Sequence, residues 1–442
     1  MWKAPALSVF EHGAIVAFGL LVYVMVTRIG QQRRHPSAAL AWVLGIVLLP
    51  YFAVPLFLVF GTRKFARPAR NGRSRMKQVE ESYRVDGQAW PHELLHAMDA
   101  LVELCNEARS SLSVQTYLLR NDTVGRAVVR ALIEAAHRGV ITRLLVDAAG
   151  SLWLPRHVES TLIAAGVSMR RFMPLFHNPL RGRTNLRNHR KLAVADGCRL
   201  WAGGRNLGDE YFLDRPGQPA WIDLSFSVDG PLAASALVQF ESDWRLSGGA
   251  PSIETPAPSQ KAYAVLPAQW LPSGPDRADD IVHALLLSAA WHAQERVIAV
   301  TPYFVPDEAL LEAWLCACRR DVRVCLVLPQ RSNHLLADWA RERAVRQLVN
   351  AGAEVHLVPR MLHAKAVVVD STLALCGSVN LDCRSLFLNY EAAAVFYSID
   401  EIEWLACWIE SASTGGQQHL GKAPGLVRDV VEGLIRAVGF QL

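Results

Sequence analysis

The chain has 442 residues and a hydrophobic content of 51%, which is enough for two or three domains with cores of ordinary size. Its formal charge is modest, at +5. Eight cysteines in a chain of this length do not form the dense disulfide framework of a small secreted protein. These values exclude a small disulfide-stabilised domain and indicate a large globular chain.

Two uncharged apolar runs near the N-terminus predict membrane segments, at about residues 10–28 and 38–60. Pro50 and Pro55 lie in the second run, where prolines kink a membrane helix without forbidding it. A cleaved signal peptide is disfavoured because no small-residue cleavage site follows the first run. We therefore expect a two-helix transmembrane hairpin within residues 1–80, with a hairpin that does not fully cross the bilayer as the alternative.

Basic residues after the second run predict the orientation of this hairpin. The short loop between the runs carries Arg33 and Arg34, with Arg28 just before it. Seven basic residues follow the second run, namely Arg63, Lys64, Arg67, Arg70, Arg73, Arg75 and Lys77. The larger basic count favours a cytoplasmic position for the N-terminus and for everything after residue 61. The same basic linker is suited to anionic headgroups.

Beyond residue 80 the sequence alternates apolar strands with amphipathic helices, and its two halves follow one plan. "SSLSVQTYLLRND" at 110–122 matches "ERVIAVTPYFVPDE" at 295–308, and "ITRLLVDAAG" at 141–150 matches "VRVCLVLPQR" at 322–331. A stretch rich in Ser, Pro and Gly, at 247–260, separates the halves. We expect two α/β/α repeats related by a pseudo-twofold axis. The predicted repeats cover residues 81–250 and 251–442.

Each half contains one His, Lys and Asp motif with the same spacing. The first is His189, Lys191 and Asp196, and the second is His363, Lys365 and Asp370. Side chains repeat every second residue along a strand, so each His and Lys are expected on one face. The aspartates fall at predicted strand ends, where a supporting structural role is expected.

Further polar residues follow each motif at comparable positions. Asn206 and Asn380 each lie 17 residues after their histidine and supply amide donors. Asp223 and Glu391 occur in strand-like segments and are suited to hold an imidazole by its second nitrogen. Ser378 has Gly204 as its counterpart in the first half, so a hydroxyl contribution would be one-sided.

These residue types fit the cleavage of a phosphodiester. Its negative charge repels nucleophiles, so a site needs positive charge and hydrogen bonds on the non-bridging oxygens. One neutral imidazole can attack phosphorus and form a phosphohistidine, while the other, as imidazolium, protonates the departing alkoxide. The chemistry requires no metal and no cofactor, and no carboxylate cluster suited to magnesium or calcium accompanies the motifs.

The paired motifs resemble the phospholipase D superfamily, and the wider pattern is similar to the bacterial cardiolipin synthases. The resemblance extends from about residue 28 to residue 391 and is carried by "RRHPSAALAWVLGIVLLP", "NHRKLAVADG", "GGRNLGDEY", "VTPYFVPDE" and "GSVNLDCRSLFLNYE". It implies phosphatidylglycerol as phosphatidyl donor, a second phosphatidylglycerol as acceptor, and glycerol as leaving group. It also implies a multi-pass protein of the bacterial inner membrane.

The motifs alone do not distinguish a transferase, which ends in an alcohol, from a hydrolytic phospholipase D, which ends in water. The membrane segments and the basic linker favour a lipid substrate and a membrane over nucleic acid. A non-catalytic membrane lipid-binding protein would tolerate loss of the histidines, and the intact pairs argue against it. The oligomeric state is left open.

Overall fold

The computed structural model describes residues 9–29, 36–61, 90–92, 94–174, 185–250, 268–277 and 279–438. The basic linker at 63–77 and the border predicted near residue 80 lie outside these residues, and the border predicted between residues 250 and 251 coincides with the end of a described range. The predicted domain limits therefore stay predictions.

Three helices form the N-terminal part, namely α1 (Val9–Ile29), α2 (Pro36–Leu48) and α3 (Pro50–Phe60). The prediction of one helix over about 38–60 is wrong, because the chain leaves helical geometry at Leu49, with φ −137° and ψ 57°. Leu49 precedes Pro50, and the proline ring disfavours the α conformation of the residue before it. Pro55 lies inside α3 without ending it.

The helices α1, α2 and α3 pack against one another. A side chain at Gly19 would come within 2.9 Å of Ile46 and 2.6 Å of Val54, so this glycine allows α1 to approach both other helices. Gly45 of α2 similarly faces Ala53 of α3. Across the described residues, no helix combines the length and the apolar character needed to cross a membrane. The predicted transmembrane hairpin is therefore not supported.

A first mixed sheet follows, with helices around it. Its strands are β1 (Trp90–His92), β2 (Ser111–Thr116), β3 (Ile141–Asp147), β4 (Ser168–Phe172), β5 (Leu192–Ala195), β6 (Arg199–Gly203) and β7 (Ser225–Asp229). The helices are α4 (Leu94–Glu107), α5 (Thr123–His137), α6 (Arg156–Ala164) and α7 (Pro231–Leu246), with a 3₁₀ turn at Asp209–Tyr211. The strand order is β1-β7-β6-β5-β2-β3-β4, and β2, β3 and β4 run parallel.

The second sheet has the strand order β17-β12-β11-β9-β13-β14-β16-β8. The strands of this half are β8 (Ala268–Ser273), β9 (Arg296–Val300), β10 (Phe304–Val305), β11 (Arg323–Pro329), β12 (Glu354–Val358), β13 (Ala366–Val369), β14 (Leu373–Gly377), β15 (Leu381–Asp382), β16 (Glu391–Phe396) and β17 (Gln417–Gln418). Its helices are α8 (Ile281–His292), α9 (Glu308–Arg319), α10 (Leu335–Asn350), α11 (Cys383–Phe387), α12 (Ile399–Ala412) and α13 (Leu426–Val438). The strands β10 and β15 form a separate parallel pair.

The two sheets share one topology. Read from β4, the first sheet has the order β4-β3-β2-β5-β6-β7-β1, and the second has β12-β11-β9-β13-β14-β16-β8. In both, three parallel strands continue into antiparallel strands, and the second sheet adds β17 at its edge. The predicted α/β fold with two repeats is confirmed, whereas the pseudo-twofold axis itself stays a prediction.

A shared hydrophobic core joins the sheets. It combines Val194 and Phe226 of the first repeat with Ile298 and Val368 of the second, all buried. Phe226 meets Phe396 edge to face, with ring centroids 5.6 Å apart. Such burial stabilises the interface by about 1.5 to 3 kcal/mol for each large side chain. The two repeats therefore hold each other in a fixed relation.

The aspartates of the two motifs lie in equivalent turns after β5 and β13. Asp196 and Asp370 have φ values of 53° and 49°, in the left-handed region that Asp tolerates better than most residues. The Asp196 carboxylate accepts from the backbone N–H groups of residues 109, 110 and 111, at the beginning of β2. The Asp370 carboxylate accepts from those of residues 294, 295 and 296, at the beginning of β9. Both carboxylates thus fasten neighbouring strands.

Candidate active site

The motif residues lie at the carboxyl ends of the parallel strands in each sheet. His189 and Lys191 come directly before β5, and His363 and Lys365 directly before β13. Because β5 runs antiparallel to β2, its beginning lies at the carboxyl ends of β2, β3 and β4. The same holds for β13 beside β9. The strand predicted at Leu192–Ala195 is confirmed, and both His and Lys pairs directly precede their strands.

Each histidine contacts a carboxylate of the other repeat. His189 Nδ1 lies 3.1 Å from Glu391 Oε1, and His363 Nδ1 lies 2.6 Å from Asp223 Oδ2. The sequence predicts acids that hold the imidazoles, but the crossed arrangement is not evident from it. A ring that donates through Nδ1 to a carboxylate has its Nε2 free as a base or nucleophile.

Backbone hydrogen bonds across the repeats fix the crossed pairs. His189 N–H donates to the carbonyl oxygen of Tyr390 at 2.8 Å, and His363 N–H donates to that of Ile222 at 2.6 Å. Tyr390 directly precedes Glu391, and Ile222 directly precedes Asp223. The segment that binds the backbone of each histidine therefore also positions the acid that contacts its ring. Both the ring and the main chain of each histidine are therefore held by the opposite repeat.

The two lysines are buried beside the histidines. Lys191 Nζ donates to the carbonyl oxygen of His189 at 2.6 Å, and Lys365 Nζ donates to that of His363. Lys365 Nζ also lies 2.8 Å from His363 Nδ1. Since Nδ1 donates to Asp223, this last approach brings positive charge to the ring rather than a hydrogen bond.

Burial and the lysine charges make the resting histidines neutral. Burial, together with the charge of Lys191, lowers the pKa of His189 despite the opposing effect of Glu391. Burial and Lys365 lower the pKa of His363 to about 3 against the effect of Asp223. Burial lowers the pKa of Lys365 to about 8 and that of Lys191 well below its usual range.

The carboxylates stay ionised in the same site. Burial would raise the pKa of Asp223, but His363 and Lys365 outweigh it and lower this pKa to about 2. The pKa of Glu391 is also lowered, because His189 and Lys191 outweigh burial. The site thus combines neutral imidazoles with charged carboxylates, an arrangement suited to nucleophilic attack by a ring nitrogen.

Glu391 is surrounded by donors that sequence analysis did not assign to it. Ser378 Oγ donates to Oε2 at 2.5 Å, whereas Ser385 Oγ and Asn389 Nδ2 donate to Oε1 at 3.0 and 3.2 Å. Ser385 lies on α11, and its backbone N–H donates to the side chain of Asp382, the N-cap of this helix. The resemblance of "GSVNLDCRSLFLNYE" to a known motif was the available signal for these residues.

Asp223 has a different environment from Glu391. Gly204 stands where the second repeat has Ser378, and a side chain at Gly204 would collide with Asp223. The shorter acid therefore occupies the space that the serine hydroxyl fills in the other repeat. The one-sided hydroxyl that the sequence indicated corresponds to this difference.

The two asparagines have partners within their own repeats. Asn206 Nδ2 donates to Tyr211 Oη at 2.8 Å, and Asn380 Nδ2 donates to Ser385 Oγ at 3.1 Å. The Tyr211 ring packs on His363, with centroids 5.1 Å apart. Asn206 therefore binds the tyrosine that borders His363. Asn380 binds the serine that donates to Glu391, the partner of His189.

Aromatic rings border both histidines, but unequally. Tyr117 packs edge to face on His189, with centroids 5.0 Å apart. His363 has two aromatic neighbours, Tyr211 and Trp221, the second at 5.5 Å. These rings exclude water from the imidazole faces, and His363 is the more enclosed of the two.

Arg190 supports the site from beneath and was not singled out by sequence analysis. It is fully buried, and its Nη1 lies 2.6 Å from Asp243 Oδ1 in α7. Its Nε and Nη2 donate to the carbonyl oxygens of Glu391 and Ser273 in the second repeat. Arg190 thus links both repeats next to the pair formed by His189 and Glu391.

Among the described residues, one group has donors close enough for a metal ion, namely Cys325, Glu354 and His356. These residues lie on β11 and β12 of the second repeat. Cys325 is near the beginning of β11, whereas the motif residues lie at the opposite ends of the strands. Glu354 is already paired with Arg323. This group is therefore separate from the candidate active site.

Comparison with known proteins supplies the family. Residues 101–244 and 286–412 match the family described as "Cardiolipin synthase, PLD-like domain". Cardiolipin synthase A of Klebsiella pneumoniae is 30% identical over 427 residues, which cover 86% of this chain and 87% of the relative. Its counterpart in Pectobacterium carotovorum is 29% identical over 443 residues, which cover 89% and 90%.

A solved structure supports the same fold. Phosphatidylserine synthase of Haemophilus influenzae superposes with a TM-score of 0.60 at 14% identity, over 84% of this chain and 100% of that chain. At this identity the likeness concerns the fold alone.

We predict that Asp223→Asn and Glu391→Gln each lower turnover of a phosphodiester substrate by about 10²-fold to 10⁴-fold, because each removes the charge that orients and supports one imidazole. Both histidines serve one reaction, so the double variant should be little worse than the poorer single variant. Steady-state kinetics on the four proteins tests this. The matched controls are Asp400→Asn and Glu134→Gln, at exposed helix positions. Losses that multiply in the double variant would contradict a single catalytic unit.

Proposed function

The chain belongs to the cardiolipin synthase family with phospholipase D-like domains, and from this we propose that it joins two phosphatidylglycerol molecules into cardiolipin and releases glycerol. It is a phosphatidyltransferase, and its substrates are phospholipids. The observation that carries the proposal is the crossed arrangement, in which two histidines are held by carboxylates of opposite repeats beside two lysines.

The proposed reaction has two steps. In the first, Nε2 of a neutral imidazole attacks phosphorus, the phosphorus–nitrogen bond forms and the bond to the glycerol oxygen breaks. The other ring, as imidazolium, gives its proton to that oxygen. In the second step, this now neutral ring takes the proton of a hydroxyl of the second phosphatidylglycerol. The resulting alkoxide attacks phosphorus and the phosphorus–nitrogen bond breaks, which returns both rings to their starting state.

The polar residues around the rings take the charge of the phosphoryl group. Lys191 and Lys365 bind the non-bridging oxygens, and Asn206 and Asn380 act as further donors or as supports for their neighbours. Asp196 and Asp370 have a structural part, because their carboxylates are occupied by backbone N–H groups at the ends of neighbouring strands.

We assign His189 as the nucleophile and His363 as the general acid. The His189 side chain is 14% exposed and that of His363 is 4% exposed, so a lipid phosphate reaches the first ring more readily. The shorter contact to Asp223 supports positive charge on His363. Because the pKa of His363 is about 3 without substrate, the acid role requires the phosphodiester anion to offset the charge of Lys365.

Product analysis tests the proposed reaction. Purified protein with radiolabelled phosphatidylglycerol in detergent should form cardiolipin and free glycerol in equal amounts. His189→Ala and His363→Ala should each lower turnover by more than the roughly 10²-fold to 10⁴-fold typical of one acid or base, since the rings act as a unit. The exposed histidine variant His157→Ala serves as control. Phosphatidic acid as the lipid product would identify a hydrolytic phospholipase D, and absence of turnover would favour a lipid-binding protein.

A substrate with a good leaving group tests which ring is the nucleophile. Nitrophenolate leaves phosphorus without being protonated, so phosphatidyl-p-nitrophenol does not need the general acid in the first step. His363→Ala should release a burst of one nitrophenolate per enzyme and retain a phosphatidyl group on His189. His189→Ala should give no burst. The reverse pattern would exchange the two assignments.

We further propose that α1, α2 and α3 attach the chain to the bacterial inner membrane and that the two repeats lie in the cytoplasm. Large apolar side chains are exposed on these helices and at the break between α2 and α3, among them Phe18, Leu48, Leu49 and Phe52. The basic residues at 63–77 support the cytoplasmic side.

Membrane retention tests the attachment. Replacing Leu48, Leu49 and Phe52 with Gln should weaken carbonate-resistant retention, because each large apolar side chain stabilises membrane burial by about 1.5 kcal/mol or more. The control changes exposed Ile163 and Ile399 of the repeats to Gln. Equal retention of both proteins would place the attachment elsewhere. A membrane-impermeant maleimide should label exposed Cys198 in inside-out vesicles and leave it unlabelled in spheroplasts.

A further inference from the structure

Two exposed apolar segments occupy equivalent positions in the repeats. Leu152 and Trp153 follow β3 and are 49% and 90% exposed. Leu335 and Leu336 follow β11 and are 70% and 50% exposed, and Trp339 is exposed one turn later on α10. The strands β3 and β11 are the equivalent middle strands of the two parallel sets. Both segments therefore follow the carboxyl ends of their strands, which are also the strand ends next to the candidate active site.

The first segment is connected directly to the site. Ser151 Oγ donates to the carbonyl oxygen of Tyr117 at 3.2 Å, and Gly150 is packed against the same residue. The Tyr117 ring contacts His189. Trp153 is therefore connected to the imidazole of His189 through the contacts of Gly150 and Ser151 with Tyr117.

The second segment is connected to the site by a different route. Tyr303 is the third residue after β9, and its hydroxyl donates to Asn333 Oδ1 at 2.5 Å. The next residue, Phe304, pairs with Leu381, directly after Asn380. Leu335 and Leu336 thus follow a loop that is connected to Asn380 through Tyr303, Phe304 and Leu381.

The chemistry of both segments fits a lipid interface with negative headgroups. Tryptophan is enriched where apolar acyl chains meet polar headgroups, because its ring is apolar and its N–H is polar. Exposed Arg156 and Arg331 flank the two segments. The neighbouring acids are occupied, since Glu159 pairs with Arg171 and Asp338 with Arg341. The surface therefore presents large apolar side chains with a positive border.

We propose that an apolar rim, formed by Leu152, Trp153, Leu335, Leu336 and Trp339, enters the headgroup and acyl boundary of an anionic phospholipid bilayer. The mouth of the active site then faces the membrane, and a phospholipid reaches the histidines without leaving the bilayer. This inference rests on the proposed function for its substrate. It differs from the attachment through α1 to α3, which needs no particular orientation of the site.

Comparing two physical forms of one substrate tests the rim. The variants are Leu152→Ser with Trp153→Ser, and Leu335→Ser with Leu336→Ser. Short-chain phosphatidylglycerol, dissolved as monomers, needs no interface, so turnover should stay within about twofold of the unmodified protein. On vesicles of long-chain phosphatidylglycerol turnover should fall about tenfold or more, because two inserted side chains are lost.

The matched control changes Ile141 and Trp291 to Ser. Both are exposed, at 65% and 44%. Ile141 begins β3 and Trp291 lies at the end of α8 before β9, so both lie at the strand ends opposite to the candidate active site. This control should keep both activities. Equal losses on monomers and vesicles in the rim variants would show a role in the integrity of the site and would overturn the rim.

Hydrogen–deuterium exchange gives a readout that does not depend on turnover. With phosphatidylglycerol vesicles, residues 149–154 and 333–337 should exchange more slowly than without vesicles, whereas residues 138–142 should not change. If the unmodified protein forms no cardiolipin but both segments are protected, the proposed function fails and the rim stands. Unchanged exchange in both segments on a vesicle-bound protein would overturn the rim whatever the activity.

Discussion

The crossed bonds between histidine and carboxylate are the constraint on which the rest of the structure depends. His189 takes its partner 202 positions later, and His363 takes its partner 140 positions earlier. Neither repeat alone can therefore orient an imidazole, which explains the buried interface and the backbone hydrogen bonds that join the repeats. A productive geometry tolerates displacements of only about 0.5 Å. The shared core and Arg190 satisfy this requirement by holding the repeats as one body.

The site has equal numbers of positive and negative side chains, but their attraction does not fully offset the cost of burying the lysine charges. Two lysines face two carboxylates, and an isolated buried charge would cost several kcal/mol. The lowered pKa of Lys365, to about 8, and of Lys191 reflects burial that the two acids do not fully offset. An incoming phosphodiester anion supplies the missing negative charge, strengthens the protonated state of both lysines and raises the pKa of the adjacent rings. In the proposed reaction, binding of the substrate thereby prepares the general acid.

Much of this arrangement could be predicted from the sequence, because it depends on local spacing. The two motifs, the equal offset of the asparagines and the alternation of strands and helices are all short-range patterns, and they predict the fold and the candidate site residues. The crossed pairing could not be predicted, since the distance along the chain says nothing about which repeat supplies each acid. Arg190 was missed because its function depends on burial, and the single helix over 38–60 failed because its hydropathy is continuous while Leu49 and Pro50 break its backbone.

Two repeats with one topology nevertheless form an asymmetric site, and the reaction explains why this matters. In the first step of the proposed reaction one ring must be neutral and reach phosphorus, while the other must carry a proton. Identical surroundings would give both rings the same preference. The pair of Glu391 and Ser378, against Asp223 and Gly204, separates the two environments at the positions that touch the imidazoles. The enclosed His363, between Tyr211 and Trp221, then differs from the more accessible His189. Duplication thus supplies the frame, and a few substitutions at equivalent positions supply the division of labour.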